Sequence, residues 1–338
     1  MEASLVIPTF GRPAALAETL RALARIEHPR NQWEVIVVDD GSDDDVLPAV
    51  RELVRRAGAP VRLLERPHRG PAAARNAGAR AAEGDILIFL DADIVVEPDF
   101  VIRHLQTGRA HSGSWVIGRI VHPIEARQTP LGRYRDTLWE AFHRAQGGDG
   151  VLDTNGMTAA NLSLPAWDFA KLGGFDEDFT IASSEDWDLA MRARGAGVRI
   201  LYDPNIVVIH NDWAVDLDRF CSRQRLYSVS DVLLWRKYGA GSPRAALVRE
   251  NSPVRWGDDP MRLVAKKTAK RLLATRAGRA ALRSFCAFAE RAVPDSSCSR
   301  RAYDLAVGVA IFGGVREGLR RYPYGALQDR RSPHEGLR

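Results

Sequence analysis

Cysteine is scarce in this sequence, and long apolar runs are absent. The three cysteines among the 338 residues, Cys221, Cys286 and Cys298, are odd in number and stand at no metal-binding spacing. Such usage is typical of a reduced compartment and predicts no disulfide framework. No segment reaches the roughly 20 apolar residues of a membrane-spanning helix, and the nearest candidate, Leu305–Val315, has about half that length. Because Glu2 is followed almost at once by a predicted strand, we expect no leader peptide and a cytoplasmic protein.

The net charge of +5 conceals an uneven distribution of charge. Residues 1–215 carry 23 Lys and Arg against 31 Asp and Glu, whereas residues 216–338 carry 25 against 12. An acidic body followed by a basic segment favours an anionic partner, such as nucleic acid, a membrane surface or a phosphate-bearing substrate. We therefore expect a domain boundary near Asp216.

Short apolar strands alternate with helix-period segments through the first 110 residues. The predicted strands are Ser4–Ile7, Glu34–Val38, Val61–Leu64 and Asp85–Leu90, and the predicted helices are Ala14–Ile26, Val46–Arg56, Pro71–Ala82 and Pro98–Thr107. This alternation predicts an α/β fold with a mostly parallel central sheet and helices on both faces. Ligands of such sheets bind beyond the carboxyl ends of the strands.

Beyond residue 110 the alternation is less regular. The predicted strands are Trp115–Val121, Asn161–Leu164, Val198–Leu201 and Ile206–Ile209, and the predicted helices are Pro130–Gln146, Glu185–Arg194 and Leu217–Tyr238. A glycine-rich link occupies residues 147–150, and Met261–Val293 is strongly helical and basic.

Two carboxylates follow the fourth predicted strand. Because side chains alternate along an extended chain, Asp91 and Asp93 project to the same side while Ala92 points away. Like charges at that distance call for a divalent cation with oxygen ligands or for protonation of one acid, unless both are solvated turn residues. His210, at the end of a later strand, is either a satisfied structural histidine or a further metal ligand, since imidazole suits Mn²⁺.

Polar residues at other strand ends extend the predicted site. Asp39 and Asp40 follow the second strand, where they can accept hydrogen bonds from a base or a ribose, or simply stand at a helix N-terminus. Arg75 lies on the helix that opens at Gly70. It is either a surface arginine or a bidentate partner for the oxygens of a metal-bound diphosphate.

The segment SSEDW opens a predicted helix. Ser183 and Asp186 fit a capping pattern, which explains one acid but not Glu185, Asp186 and Asp188 together. Partial desolvation by Trp187 would raise the pKa of a neighbouring carboxylate, which would then suit a general base for an acceptor hydroxyl.

Seven motifs and a later histidine follow one another along the chain, namely VIPTFGR, VVDDGS, GPAAARNAG, FLDAD, NLSL, GGFDEDF and SSEDWDL, and then His210. In sequence and spacing they resemble the family 2 glycosyltransferases over about residues 3–215. The resemblance implies the nucleotide-diphospho-sugar transferase (GT-A type) fold and an inverting transfer of a sugar from a nucleotide-diphosphate donor. The basic helices would then form a helical C-terminal extension.

The resemblance also implies roles for individual residues. The residues expected to bind the donor are Pro8, Thr9, Phe10, Arg12, Asp39, Asp40, Arg75 and Asp91. The residues expected to bind Mn²⁺ or Mg²⁺ are Asp91, Asp93 and His210. The residues expected to bind the acceptor are Asn161, Glu185 and Trp187. Asp186 would be the catalytic base. Residues 1–215 would form the catalytic domain, with a donor half at 1–110 and an acceptor half at 111–215, followed by the basic helical extension at 216–327 and a disordered tail at 328–338.

No Q-x-x-R-W motif and no spanning segment follow, so we expect addition of a single hexose-like sugar and no polymer export. The predicted acceptor is a carbohydrate or a lipid-linked molecule in the synthesis of cell-surface polysaccharide, glycolipid or glycoconjugate. A catalytically silent sugar-nucleotide binder and a glycosyltransferase with a soluble small-molecule acceptor are the alternatives. The helices from Met261 to Arg321 would lie on the anionic inner face of the cell membrane, or would form a solvated cap.

Two other classes fit the sequence poorly. A dinucleotide-dependent oxidoreductase needs a G-x-G-x-x-G after the first strand, which Pro8–Pro13 (PTFGRP) does not supply. A nucleic-acid-binding protein would use the basic segment, but carboxylates at the sheet edge repel phosphate unless metal is bound. We therefore expect no nucleic-acid partner.

Overall fold

The structure, a computed structural model, describes residues 1–146, 151–154, 156–212 and 214–323. The chain divides into two compact units, an N-terminal unit of Met1–Gln128 with Arg135–Ala214 and a helical unit of Thr129–Tyr134 with the residues from Val215 onward. The glycine-rich link predicted at 147–150 and the disordered tail predicted at 328–338 lie outside the described residues.

The N-terminal unit is built on one mixed sheet. Its described strands are β1 (Ala3–Thr9), β2 (Trp33–Asp39), β3 (Val61–Glu65), β4 (Ile86–Leu90), β5 (Ile94–Val96), β6 (Ser114–Val121), β7 (Leu152–Asp153), β8 (Asn161–Pro165) and β9 (Arg199–His210). They lie in the order β3-β2-β1-β4-β8-β6-β9-β5, and β7 pairs with β9. The first four strands in this order are mutually parallel, as are β6 and β9, whereas β5, β7 and β8 run antiparallel to their neighbours. The predicted α/β class and mostly parallel sheet are confirmed.

Two sequence expectations about strands and helices were wrong in detail. The strands predicted at Val198–Leu201 and Ile206–Ile209 form the single strand β9, because pairing with β6 continues across a bulge at Gly118 and Arg119. The helix predicted from Pro98 begins at Phe100, and the carbonyl of Pro98 instead accepts a hydrogen bond from the Glu27 amide.

Helices cover both faces of the sheet. Seven are described before residue 216: α1 (Pro13–Leu23), α2 (Leu47–Arg56), α3 (Pro71–Ala81), α4 (Phe100–Ala110), α5 (Pro130–Ala145), α6 (Ala166–Lys171) and α7 (Glu185–Gly195). On one face, Leu5 and Ile7 of β1 pack in a core with residues of α1, α2 and α4. On the other face, Val6 packs with residues of α3, α6 and α7. Burial on both faces explains the continuous apolar runs of β1, β2 and β4.

Helix α3 lies unusually close to the sheet. A Cβ atom at Gly78 would stand 2.4 Å from Cγ1 of Val6 and 3.0 Å from Cγ2 of Val38, so a larger residue there would push the helix outward. This close packing fixes the position of Arg75, which lies one turn earlier on α3.

The helical unit contains α8 (Leu217–Tyr238), α9 (Ala245–Asn251), α10 (Met261–Leu273), α11 (Arg276–Ala292) and α12 (Ser297–Arg321). The basic segment predicted to be helical from Met261 is interrupted at Ala274 and Thr275, because the Thr275 side chain accepts a hydrogen bond from the Gly278 amide and starts a new helix. Among the described helices, none combines the length and apolar character that crossing a bilayer requires.

Candidate active site

The carboxyl ends of the parallel strands bring the predicted donor residues together. Thr9 pairs with Asp39 where β1 and β2 end, and the Asp40 amide donates to the Thr9 carbonyl at 2.9 Å. Pro8 lies in β1 beside Val38 of β2, and Asp91 follows the end of β4. The residues predicted to share one sheet edge therefore do so.

Asp39 and Asp40 are both buried, but they differ in how many further hydrogen bonds their carboxylate oxygens can accept. Asp39 accepts two hydrogen bonds, from the Ser42 amide at 2.9 Å and the Ser42 hydroxyl at 2.6 Å. Asp40 accepts from Arg66 at 3.0 Å, from the Arg69 amide at 3.2 Å and from the Gly70 amide at 2.8 Å, and its Oδ2 lies 2.9 Å from Nδ1 of His68. A carboxylate offers about four acceptor positions. Asp39 is therefore the better acceptor for a nucleobase.

Phe10 and His68 form an exposed aromatic pair beside these acids. Their ring centroids lie 4.3 Å apart in a stacked arrangement, and Phe10 is 48% exposed. Sequence reasoning included Phe10 but missed His68, since no motif marks it. The pair offers a flat apolar surface of the kind on which bases stack.

Three potential metal ligands converge beyond β4. One ligand atom from each of Asp91, Asp93 and His210 lies within 4.8 Å of the others, as predicted. The pairing of β5 with β9 produces this arrangement, because Ile94 lies opposite His210 and the Asn211 amide donates to the Asp93 carbonyl at 2.7 Å. Two carboxylates and one imidazole fit a divalent cation of the Mn²⁺ or Mg²⁺ type.

Cations of the protein already surround Asp93. Nη1 of Arg12 lies 2.8 Å from its Oδ2, and Nε2 of His210 lies 3.4 Å from its Oδ1. Burial opposes ionisation of Asp93, but His210 and Arg12 outweigh it and hold the pKa of this carboxyl below its usual value. Arg12, a predicted donor-binding residue, therefore forms an ion pair with Asp93, a predicted metal ligand.

A second layer of residues that the sequence did not reveal supports His210. Nδ1 of His210 lies 2.7 Å from Oδ1 of Asp212, which also receives a hydrogen bond from Arg135 at 3.0 Å. Burial would lower the pKa of His210, but Asp212 and Asp93 together raise it to about 10. A carboxylate on the second ring nitrogen fixes the orientation of a ligating histidine. Asp212 therefore aims His210 at Asp93.

Arg75 links helix α7 to the group of Asp91, Asp93 and His210, here called the acid cluster. The side chain is 3% exposed and donates from Nη2 to Asp91 at 2.7 Å and from Nη1 to Glu185 at 2.8 Å. The predicted contact of Arg75 with a diphosphate remains a prediction. The structure shows this arginine between two acids that are 94 positions apart in sequence.

Glu185 and Asp186 begin α7 in different environments. Glu185 is 3% exposed, and burial together with the neighbouring Asp186 raises its pKa to about 7 against the attraction of Arg75. Asp186 and Trp187 are partly exposed. The predicted Ser183–Asp186 cap is wrong, because the residue before the helix is Ser184, in a left-handed conformation with φ 71° and no capping hydrogen bond.

Asn161 does not fit its predicted role in acceptor binding. The residue is fully buried, its Nδ2 donates to the Ile206 carbonyl at 3.1 Å, and its Oδ1 lies 2.9 Å from Nε2 of His104. Because both ends of the amide are occupied inside the sheet, Asn161 joins β8 to β9 and has no surface for a ligand. This assignment is corrected.

The raised pKa of Glu185 predicts a pH dependence of stability. Because the pKa of Glu185 is higher in the folded protein than in the unfolded chain, protonation of Glu185 stabilises the native state. This stabilisation is complete below about pH 4.5 and is lost as the pH rises through about 7. Glu185→Gln removes the titration, so its Tm should fall less than that of the wild type between about pH 5 and about pH 8. Scanning calorimetry at both pH values checks this, with exposed Glu125→Gln as the control. Equal changes in Tm for wild type and Glu185→Gln would contradict it.

Residues 4–158 match the model of glycosyl transferase family 2. The chain belongs to this family over these residues. The resemblance drawn from the motifs is thereby confirmed. Glu185, Asp186 and His210 lie beyond the matched residues, so the assignment of their roles in this family 2 member depends on their positions in the structure.

Two curated relatives illustrate the family. Validoxylamine A glucosyltransferase of Streptomyces hygroscopicus subsp. jinggangensis is 34% identical over 221 residues, 58% of this chain and 52% of the relative. Pre-mycofactocin glycosyltransferase of Mycobacterium tuberculosis is 30% identical over 233 residues, 68% of this chain and 46% of the relative. The chain thus spans about half the length of the curated relatives it matches.

A solved structure supports the fold assignment. The mannosyltransferase PcManGT of Pyrobaculum calidifontis, in complex with GDP-Man and Mn²⁺, has a TM-score of 0.63 and 19% identity to this family 2 chain. The match covers 94% of this chain and 87% of that chain. At this identity the likeness concerns the fold, and the predicted GT-A type fold is confirmed.

Proposed function

We propose that the chain is an inverting, metal-dependent glycosyltransferase that moves one sugar from a nucleotide-diphosphate sugar to an acceptor hydroxyl. One observation carries this proposal: Arg75 contacts both Asp91 of the acid cluster and Glu185 of the helix that bears Asp186. A cation site and a carboxylate base must face the two sides of the transferred sugar, and the proposal is supported by the contact of Arg75 with both Asp91 and Glu185, which precedes Asp186.

Asp91, Asp93 and His210 would hold Mn²⁺ or Mg²⁺. The cation would offset the negative charge of the departing nucleoside diphosphate. Support comes from the clustering of these ligands and from PcManGT, whose structure contains GDP-Man and Mn²⁺.

The donor would lie along the ends of β1, β2 and β4. Asp39 accepts a hydrogen bond from the base, which stacks on the Phe10–His68 pair, while Pro8 and Thr9 border the nucleoside. Arg12 and Arg75 contact the predicted metal ligands Asp93 and Asp91, and we propose that oxygens of the donor diphosphate bind these two guanidinium groups. Asp40 holds the Arg66–Gly70 loop that borders this region.

Asp186 would be the base. Its carboxylate takes the proton of the acceptor hydroxyl as the acceptor oxygen bonds to the anomeric carbon and the bond from that carbon to the diphosphate oxygen breaks. Attack on the face opposite the leaving group inverts the anomeric carbon. Trp187, beside Asp186 and partly exposed, offers an indole surface to the acceptor sugar.

Removal of a metal ligand tests the donor side of this proposal. Asp93→Ala should lower the metal-dependent affinity for the donor by more than the roughly 10–100-fold typical of outer-shell partners. Calorimetric titration with UDP-, GDP- and dTDP-sugars, with Mn²⁺ or with a chelator, measures this loss of affinity. The same titrations show which nucleotide sugar the protein binds. Asp99→Ala, outside the site, is the matched control. Equal heats with and without chelator in the wild-type protein would contradict metal-dependent donor binding.

The acceptor class has two candidates. A carbohydrate or lipid-linked acceptor in cell-surface polysaccharide, glycolipid or glycoconjugate synthesis was the expectation from sequence. The second candidate is a soluble small molecule, which the relative named for glucosyl transfer to validoxylamine A favours. A catalytically silent sugar-nucleotide binder remains the alternative to both, and transfer to any acceptor would exclude it.

We also propose peripheral association of the helical unit with an anionic membrane. Leu272, Phe285 and Phe288 are 66%, 44% and 67% exposed on helices rich in Lys and Arg, a combination suited to the membrane interface. Sedimentation with anionic vesicles should show binding that added salt weakens. Phe285→Ser/Phe288→Ser should reduce it, and absence of the protein from the vesicle pellet at low salt would contradict the proposal.

A further inference from the structure

A cavity of about 580 Å³ lies within the helical unit, bordered by α8, α11 and α12. The volume falls in the range of roughly 300–1,000 Å³ that small-molecule sites occupy. The donor site described above uses residues of the N-terminal unit alone, so this cavity is a separate feature.

The floor of the cavity is apolar. Leu282 of α11 and Ala306, Val309 and Phe312 of α12 line it and are buried, whereas the apolar lining residues Leu217, Ala274 and Ala310 are partly exposed and offer the accessible apolar surface. Leu282, Ala306 and Val309 also belong to the main hydrophobic cluster of the unit. A ligand in the cavity would therefore place an apolar group against a preformed apolar wall.

The rim of the cavity is basic. Five arginines border it: Arg225, Arg279, Arg283, Arg316 and Arg320. Two of these are neutralised, Arg225 by Glu317 at 2.7 Å and Arg283 by Asp218 at 3.1 Å. Within the part of the chain that the structure describes, Arg279, Arg316 and Arg320 have no carboxylate at ion-pair distance.

One of the uncompensated arginines adjoins the floor directly. The guanidinium carbon of Arg316 lies 5.6 Å from the centre of the Phe312 ring. Positive charge and apolar surface thus meet at one point of the cavity wall.

We propose that this cavity binds an anionic amphiphile, with a phosphate-type head group at Arg279, Arg316 and Arg320 and one alkyl or isoprenoid chain on the apolar floor. Guanidinium groups bind phosphate oxygens through paired hydrogen bonds, and the chain is removed from water by the wall.

Other occupants use only part of this surface. Free inorganic phosphate would leave the apolar floor in contact with water, and an uncharged lipid would leave three cations without a counterion. A nucleic-acid strand needs aromatic surfaces for its bases, whereas Phe312, the one aromatic residue among the described lining residues, is 3% exposed.

The test measures binding by the full chain and requires neither sugar donor nor transfer, so its outcome is independent of the proposed function. Dodecyl phosphate, kept below its critical micelle concentration, is titrated by calorimetry and compared with inorganic phosphate and uncharged dodecyl maltoside. We expect saturable binding of one dodecyl phosphate per chain and much weaker binding of the other two.

Two sets of variants locate the site. Arg316→Ala/Arg320→Ala should lower the affinity for dodecyl phosphate by about tenfold or more, since each lost hydrogen bond to a charged group has an effect of that order. Ala310→Trp should fill the cavity and abolish binding. Arg262→Ala/Arg271→Ala, exposed on α10 and outside the cavity, is the matched control and should bind like the wild type.

Three results would overturn the proposal. Equal affinity for inorganic phosphate would indicate an anion site without a chain site. Unchanged affinity in both cavity variants, at wild-type Tm, would place binding elsewhere. Binding to anionic vesicles without binding of monomeric dodecyl phosphate would assign the basic charge to a membrane surface and exclude a ligand in the cavity.

Discussion

Asp186→Asn is expected to lower kcat by about 10²–10⁴-fold, the contribution typical of a positioned general base, while donor affinity is unchanged. Asparagine preserves the size of the side chain but does not take up the proton of the acceptor hydroxyl. Saturating initial-rate measurements give kcat, and calorimetry gives the affinity for the donor. Asp99→Asn, at the surface start of α4, should retain wild-type kcat.

Glu185→Gln separates the two acids of α7. Glu185 is buried and hydrogen-bonded to Arg75, whereas Asp186 is partly exposed, so proton transfer from the acceptor hydroxyl to the enzyme should depend on Asp186. Wild-type turnover in Asp186→Asn, combined with complete loss in Glu185→Gln, would instead identify Glu185 as the base.

Arg75→Met is expected to lower the free energy of unfolding by about 3–5 kcal/mol at a pH near 8, the usual effect of removing one partner from a buried ion pair. Methionine approximates the length of the side chain but leaves the Glu185 carboxylate buried without its cation. Urea denaturation measures the loss. The exposed pair of Arg103 and Asp99 provides the control, since Arg103→Met should change stability by only about 0–1 kcal/mol.

Two further measurements tie this effect to Glu185. The pKa of Glu185 is about 7 in the folded wild-type protein, and removal of the arginine should raise it further. The destabilisation by Arg75→Met should therefore shrink as the pH falls and the carboxyl becomes neutral. Addition of Glu185→Gln to Arg75→Met should restore part of the lost stability. A loss below about 1 kcal/mol in Arg75→Met would show that the contact stabilises little.

The sequence predicted the strand ends and the acid cluster because both depend on local patterns. Apolar runs closed by Thr9, Asp39 and Asp91 specify parallel strands whose ends share an edge. The predicted alternation of Asp91 and Asp93 along an extended chain was wrong, because residues 91–93 form a turn between β4 and β5 in which the Ile94 amide donates to the Asp91 carbonyl. His210 joined the cluster because the register of β5 with β9 places it there.

Local sequence patterns do not predict contacts between residues that are far apart in the sequence. Arg75 and Glu185 are 110 positions apart, and no local signal marks an arginine as bridging two acids. Asn161 occupies a motif position, yet its burial and its partners His104 and Ile206 follow only from the packing of β8 in the sheet. The stacking of His68 on Phe10 likewise depends on how a loop returns to the end of β1.

The carboxylate of Asp40 has a consequence for donor affinity. By accepting backbone amides of Arg69 and Gly70 and the side chain of Arg66, it fastens the loop before α3 in the ligand-free protein. A nucleotide that arrives there meets a preorganised wall, so little conformational entropy is lost on binding. We therefore expect Asp40 to favour donor binding by holding this loop, and we expect donor association to be limited by diffusion and desolvation more than by ordering of this segment.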